Sequence, residues 1–135
     1  MSSLLHKEIL LIGLRSDSSL PPYFRDFFGT PEEIDSKLDA DHARIKRAGF
    51  IPVVLLIDSQ EQEKGLNDLE AHLHRGKYDA IGIGAGLRVI PQYTGLFETM
   101  VNMCRTIAPS IPLMFNDGPG SSTESLERVL GVRIA

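Results

Sequence analysis

Short apolar runs alternate along this chain with stretches whose apolar residues recur every three or four positions. The first run, Ile9-Leu10-Leu11-Ile12-Gly13-Leu14, does not alternate with polar residues. A strand covered on both faces reads this way. From Pro31 to Ala48 the period changes, and Ile34, Leu38, His42 and Ile45 form a stripe at helical spacing. Thr30-Pro31-Glu32-Glu33 is a helix start: threonine at the cap, proline at the first position, glutamate three residues after the cap. Gly49 is the stop. The second run is Val53 to Ile57. Ser59 and Gln62 then fit another capping box, and Leu66, Leu69 and Leu73 mark a second helix closed by Gly76. The third run, Tyr78 to Ile83, leads into Gly84-Ala85-Gly86. A third helix is expected from Tyr93 or Thr94 to Ala108, with Leu96, Phe97, Met100, Val101, Cys104 and Ile107 on its apolar face. The fourth run, Pro112 to Phe115, precedes a glycine-rich loop and a last short helix through Leu126, Val129 and Leu130. Val132 to Ala135 suggests a brief edge strand.

Strands that alternate with helices of ten or more residues make parallel βαβ units. Right-handed crossovers then give an open sheet with helices on both faces. The expected fold class is α/β: a three-layer, flavodoxin-like or Rossmann-like domain over residues 1–135. It has four strands, or five with the tail, in the order 2-1-3-4. The length fits one domain able to bury a core without metal or disulfides.

In such sheets ligands bind outside the carboxyl ends of the strands, where strand order reverses. Here that point lies between the first and third strands. The loops converging there contain Arg15, Ser16 and Asp17, then Asp58, then Gly84, Gly86 and Arg88, then Asn116, Asp117 and Ser121. Two arginines, backbone-exposing glycines and nearby helix N-termini suit an anion such as a phosphate, a carboxylate or a nucleotide. In that reading Arg15 and Arg88 clamp the anion, Gly84 and Gly86 admit it, and Ser16, Asp58, Asn116, Asp117 and Ser121 add polar contacts. The competing reading pairs the arginines with Asp17, Asp58 or Asp117 merely to tie loops together. An enzyme version uses Asp17 or Asp58 as general base, but no partner nucleophile is visible.

Other features narrow the field. Gly82-Ile83-Gly84-Ala85-Gly86 follows the third strand with G-x-G-x-G spacing, and Pro91 stands before the next long helix; a dinucleotide fingerprint opens a helix after the first strand. No P-loop and no nucleophile elbow is present. The receiver-domain acids are replaced by Arg15-Ser16 and Gly84-Ala85. The first loop lacks the glycine of a flavin phosphate site, and there is no tryptophan. No cofactor is therefore expected. Between Leu20 and Gly29, Tyr23, Phe24, Phe27 and Phe28 form either a lid over the cleft or a loop folded onto the core or a partner subunit; the second is preferred. Cys104 is expected to be a buried thiol, and His42 a half-buried histidine. His72 and His74 do not share a helix face, which argues against zinc.

The formal charge of −4 advertises no surface for nucleic acid. Arg44, Lys46 and Arg47 lie among Asp35, Asp39 and Asp41, so that helix reads as a mixed, solvated face. One cysteine forbids an internal disulfide. The apolar run near the N-terminus is too short for a signal peptide or a membrane span, so a cytoplasmic location is the expectation. A homodimer is expected from the prevalence of symmetric oligomers. The rival to a ligand-binding domain is a structural or protein-interaction module.

Tyr78-Asp79-Ala80-Ile81-Gly82-Ile83-Gly84-Ala85-Gly86-Leu87-Arg88 resembles a stretch in a group of small, uncharacterised single-domain proteins of bacteria and fungi. Leu96-Phe97-Glu98, Val101-Asn102, Ala108-Pro109 and Phe115-Asn116 extend the resemblance. It implies a flavodoxin-like or Rossmann-like domain and brings no activity or catalytic residues with it.

Overall fold

A computed structural model of the chain describes residues 7–134. Four strands, β1 (Glu8–Leu14), β2 (Ile51–Ile57), β3 (Tyr78–Ile83) and β4 (Leu113–Phe115), form one parallel sheet in the order β2-β1-β3-β4. Six helices connect them: α1 (Pro22–Phe28), α2 (Pro31–Arg47), α3 (Gln62–Arg75), α4 (Ala85–Val89), α5 (Thr94–Ile107) and α6 (Ser122–Leu130). The chain is thus α/β with the expected strand order.

The unbroken apolar runs have the predicted cause. β1 is central, and its alternate side chains enter two different cores. Leu10 and Ile12 join Leu55, Ile57, Ile81 and Ile83 beneath α3 and α5, through Leu69, Leu73, Leu96, Met100 and Cys104. Ile9 and Leu11 join Ala80 and Met114 against Ile45 of α2 and Leu126 of α6. At about 25 cal/mol per Å² of apolar surface removed from water, these layers are the main stabilising term.

Local signals hold at both ends of α2. Thr30 Oγ1 accepts from the Glu33 amide at 3.1 Å, and Glu33 accepts from the Thr30 amide at 3.0 Å. Gly49, at φ +96°, lets the chain leave α2 in a conformation costly for other residues.

Five expectations change. The aromatic segment is a helix, α1, beginning at Pro22, where fixed φ suits the first turn. The Ser59 capping box does not form: Gln62 reaches the Ser59 carbonyl at 3.2 Å, and the α3 cap makes no side-chain bond. α4 opens directly after β3, ahead of Pro91, because the Asn116 side chain accepts from the Ala85 amide at 2.8 Å. Residues 131–134 pair with no strand, although Ile134 is buried; Ala135 lies outside the described residues, as do residues 1–6 at the N-terminus. Asp41 is not on a solvated face: it is 2% exposed and meets the first turn of α6.

Candidate functional site

The switch point between β1 and β3 carries an open cleft of about 100 Å³ on the α2 side of the sheet. Its floor is Leu11, Gly13 and Gly82, its outer wall Val54 and Leu56. α2 contributes Ile34, Leu38 and His42, and Leu20 and Phe28 roof it. Glycine makes this space. A methyl group on Gly13 would meet only Leu56 Cδ2, at 3.9 Å. The same addition at Gly82 would strike Met114 and Leu11 at 3.0 and 3.1 Å, so their side chains already fill that spot. Gly84 serves another purpose, since its Cα faces the β1 backbone and an added methyl would sit 3.3 Å from the Ile12 carbonyl.

Five predicted site residues line this cleft: Arg15, Ser16, Gly84, Gly86 and Asn116. Asp58, Arg88, Asp117 and Ser121 do not. The two arginines therefore do not close on one cavity. Arg88 is exposed and donates to the Asn116 carbonyl at 2.9 Å. Arg15 donates to Asp17 at 2.8 Å and to Asp58 at 3.4 Å. Asp58 also accepts from the Gln60 amide at 2.9 Å. Asp117 and Ser121 belong to a neighbouring shallow hollow with Phe27, Phe28 and Lys37. There Ser121 Oγ accepts from the Asp117 amide and donates to the Gly118 carbonyl, both at 3.1 Å.

The helix N-terminus expected to attract an anion is already occupied by one. The Asp41 carboxylate accepts from the Ser122 amide at 2.8 Å, from the Thr123 amide at 3.1 Å, and from the Thr123 hydroxyl. A buried carboxylate at the positive end of a helix is satisfied electrostatically and by hydrogen bonds. Asn116 continues this chain of contacts. It accepts from α4 and donates to Ser122 Oγ at 3.1 Å, linking both helix starts beside the cleft.

Two further residues were missed in the sequence. Arg25 donates to the carbonyls of Ser16, Ser18 and Gly29 at 3.2, 2.9 and 3.0 Å. It fastens α1 onto the loop that follows β1. Tyr93 donates to the Ser19 carbonyl at 2.7 Å from the other side. Asp41 carried a readable signal, an acid on α2 just beside the apolar stripe. Arg25 carried none, because its acceptors are main-chain oxygens.

Burial sets the protonation of the cleft's one imidazole. Desolvation holds His42 below the ordinary histidine range, and Lys46 adds to this while Asp41 and Asp39 oppose it. Cys104 sits far from the cleft among core residues of α5, and burial pushes its thiol up to about 11. His72 Nδ1 lies 3.0 Å from the Tyr78 hydroxyl and 2.7 Å from Arg75, which places it in a side-chain cluster at the other end of the sheet. Set against known proteins, the chain matches no family model, no curated protein and no solved structure.

Proposed function

We propose that this domain binds a small amphipathic anion, its apolar body in the cleft over Gly13 and its carboxylate or phosphate at the Arg15–Ser16 rim. One observation carries the reading: an apolar cavity stands open at the carboxyl edge of a parallel sheet, and a cation marks its mouth. Ligand sites combine an apolar lining with few polar groups in this way. A dry cavity of about 150 Å³ accepts benzene, so a cleft of about 100 Å³ encloses a smaller apolar body such as a short hydrocarbon. Arg15 is half exposed, and exposed ion pairs are worth about 0–1 kcal/mol, so exchanging Asp17 for a ligand anion costs little. Gly84, Gly86 and Asn116 supply the wall beside it.

The test is a thermal-shift panel of aliphatic and aromatic carboxylates and phosphates. Gly13→Leu fills the cleft without a backbone penalty, since φ at Gly13 is not positive. Wild type is expected to gain stability with some members, and Gly13→Leu with none, while the variant itself melts no lower. Arg15→Ala is expected to weaken the binders and leave a residue of apolar affinity. If no compound stabilises wild type, the binding reading fails.

A second reading rests on α1. Tyr23 and Phe27 are 70% and 65% exposed, side by side with the cleft roof. Exposed aromatics of this kind favour an interaction module. Tyr23→Ser with Phe27→Ser would leave ligand shifts intact and abolish any association made through that surface.

A further inference from the structure

The most apolar strand of the chain lies at the edge of the sheet. β2, Ile51-Pro52-Val53-Val54-Leu55-Leu56-Ile57, has no charged residue and, among the described residues, pairs only with β1. Two hydrogen bonds show which backbone groups β1 uses. The Ile51 amide donates to the Lys7 carbonyl at 2.6 Å, and the Ile57 carbonyl accepts from the Arg15 amide at 3.0 Å. Alternate residues of a parallel strand turn both groups to the same neighbour. Ile51, Val53, Leu55 and Ile57 therefore serve β1, and Pro52, Val54 and Leu56 face outward. Ile51, Val54 and Leu56 also leave 55%, 41% and 45% of their surfaces exposed.

Natural proteins guard such an edge with charges, bulges, prolines or short strands, because it templates further pairing. The opposite edge is guarded. β4 has three residues, and its Phe115 carbonyl accepts from Ser125 at 2.6 Å and from Arg128 at 2.8 Å. On β2 only Pro52 interrupts the row, and proline keeps its carbonyl.

We propose that β2 pairs antiparallel with β2 of a second copy across a two-fold axis, making one sheet continuous through a homodimer. Charge selects this occupant and this direction. The chain reaches β2 from exposed Lys46 and Arg47 and leaves it into exposed Glu61 and Glu63, with Asp58 tied to Arg15 and Lys64 to Asp68. Antiparallel pairing sets the basic approach of one copy beside the acidic exit of the other, twice over. A parallel arrangement would set like beside like. An isologous contact needs this self-complementarity. Near its centre, Val54 and Leu56 exchange amide and carbonyl groups with their partners, and Pro52 accepts. Val54 and Leu56, now open beside the cleft, become covered. The inference stands independently of any ligand.

Sedimentation equilibrium on the full chain tests it. Wild type is expected at twice 14.9 kDa, dissociating more readily as salt rises. Val54→Pro removes an outward donor that β1 does not use, so it is expected to give a folded monomer by circular dichroism. Lys46→Glu with Arg47→Glu lies outside the strand and is expected to raise the dissociation constant tenfold or more. A wild type that stays monomeric at about 100 μM, a weak-association concentration, overturns the proposal. So does a dimer whose dissociation constant is unchanged by both variants.

Discussion

Two buried polar side chains near the switch point show opposite economies. Asp41 is closed off from water and accepts three hydrogen bonds from the start of α6. Truncating it orphans the Ser122 and Thr123 amides inside the protein, and an unsatisfied buried group costs about 1–3 kcal/mol. Asp41→Ala is expected to lower stability by about 2–4 kcal/mol in urea unfolding, since it also removes a charge at the helix N-terminus. Ser18 is 6% exposed, and its hydroxyl has no hydrogen-bond partner among the described residues. Ser18→Ala removes an unmet demand and is expected to leave the urea midpoint unchanged or raise it. A loss above about 1 kcal/mol would show that the hydroxyl is satisfied after all. Cys104 gives a third residue-scale check. Its thiol is held protonated by burial, so at neutral pH it is expected to react with a thiol reagent only as fast as the protein unfolds. Rapid labelling of the folded protein would contradict the packing of α5.

At the scale of elements, α1 and α2 frame the cleft. α1 is short and holds its place through Phe28, Phe24 and the three carbonyl bonds of Arg25. Arg25→Ala is expected to raise hydrogen exchange across residues 16–29 while leaving β1 and α5 protected. Equal protection in wild type and variant would mean that the aromatic packing alone holds the helix. α2 brings His42 to the cleft wall. Its folded pKa lies below its unfolded one, so the unfolded chain binds more protons as pH falls below about 6.5. Stability is therefore full above that pH and declines below it. His72 shifts the same way, from its own burial and from Arg75. His42→Leu is expected to flatten part of the acid slope of the urea midpoint, and an unchanged slope would assign it elsewhere. The elements themselves were largely legible. The stripe Ile34, Leu38, His42, Ile45 and the Thr30–Glu33 box located α2, and the unbroken run of β1 gave its central place. α1 was missed although Tyr23 and Phe27, and Phe24 and Phe28, stand four apart at helical spacing; two pairs in seven residues make too short a stripe to set against the surrounding prolines and glycine.

At the scale of the molecule, sheet order and switch point followed from run lengths and the right-handed crossover rule, and the structure has both. The contents of the cleft followed only in part. Sequence places loops at one edge but not side chains around one cavity. Arg15, Ser16, Gly84, Gly86 and Asn116 converged, whereas Arg88 turned to a carbonyl and Ser121 to its own loop. Much of the apolar lining comes from Gly13, Leu56 and Leu38, residues that each looked like ordinary core, while Phe28 belongs to the aromatic segment for which a lid over the cleft was the less favoured reading. Their convergence depends on α2 crossing the sheet, a relation between distant segments. No described helix is long and apolar enough to cross a membrane.

The most direct measurement is a methyl-labelled NMR titration of wild type with the strongest stabiliser from the carboxylate and phosphate panel. Saturable shifts are expected at Leu11, Val54, Leu56, Ile34 and Leu38, with Leu69, Leu73 and Leu96 on the opposite face unmoved. Saturable shifts confined to the α3–α5 face, or the same response from Gly13→Leu, would contradict the cleft as the binding site.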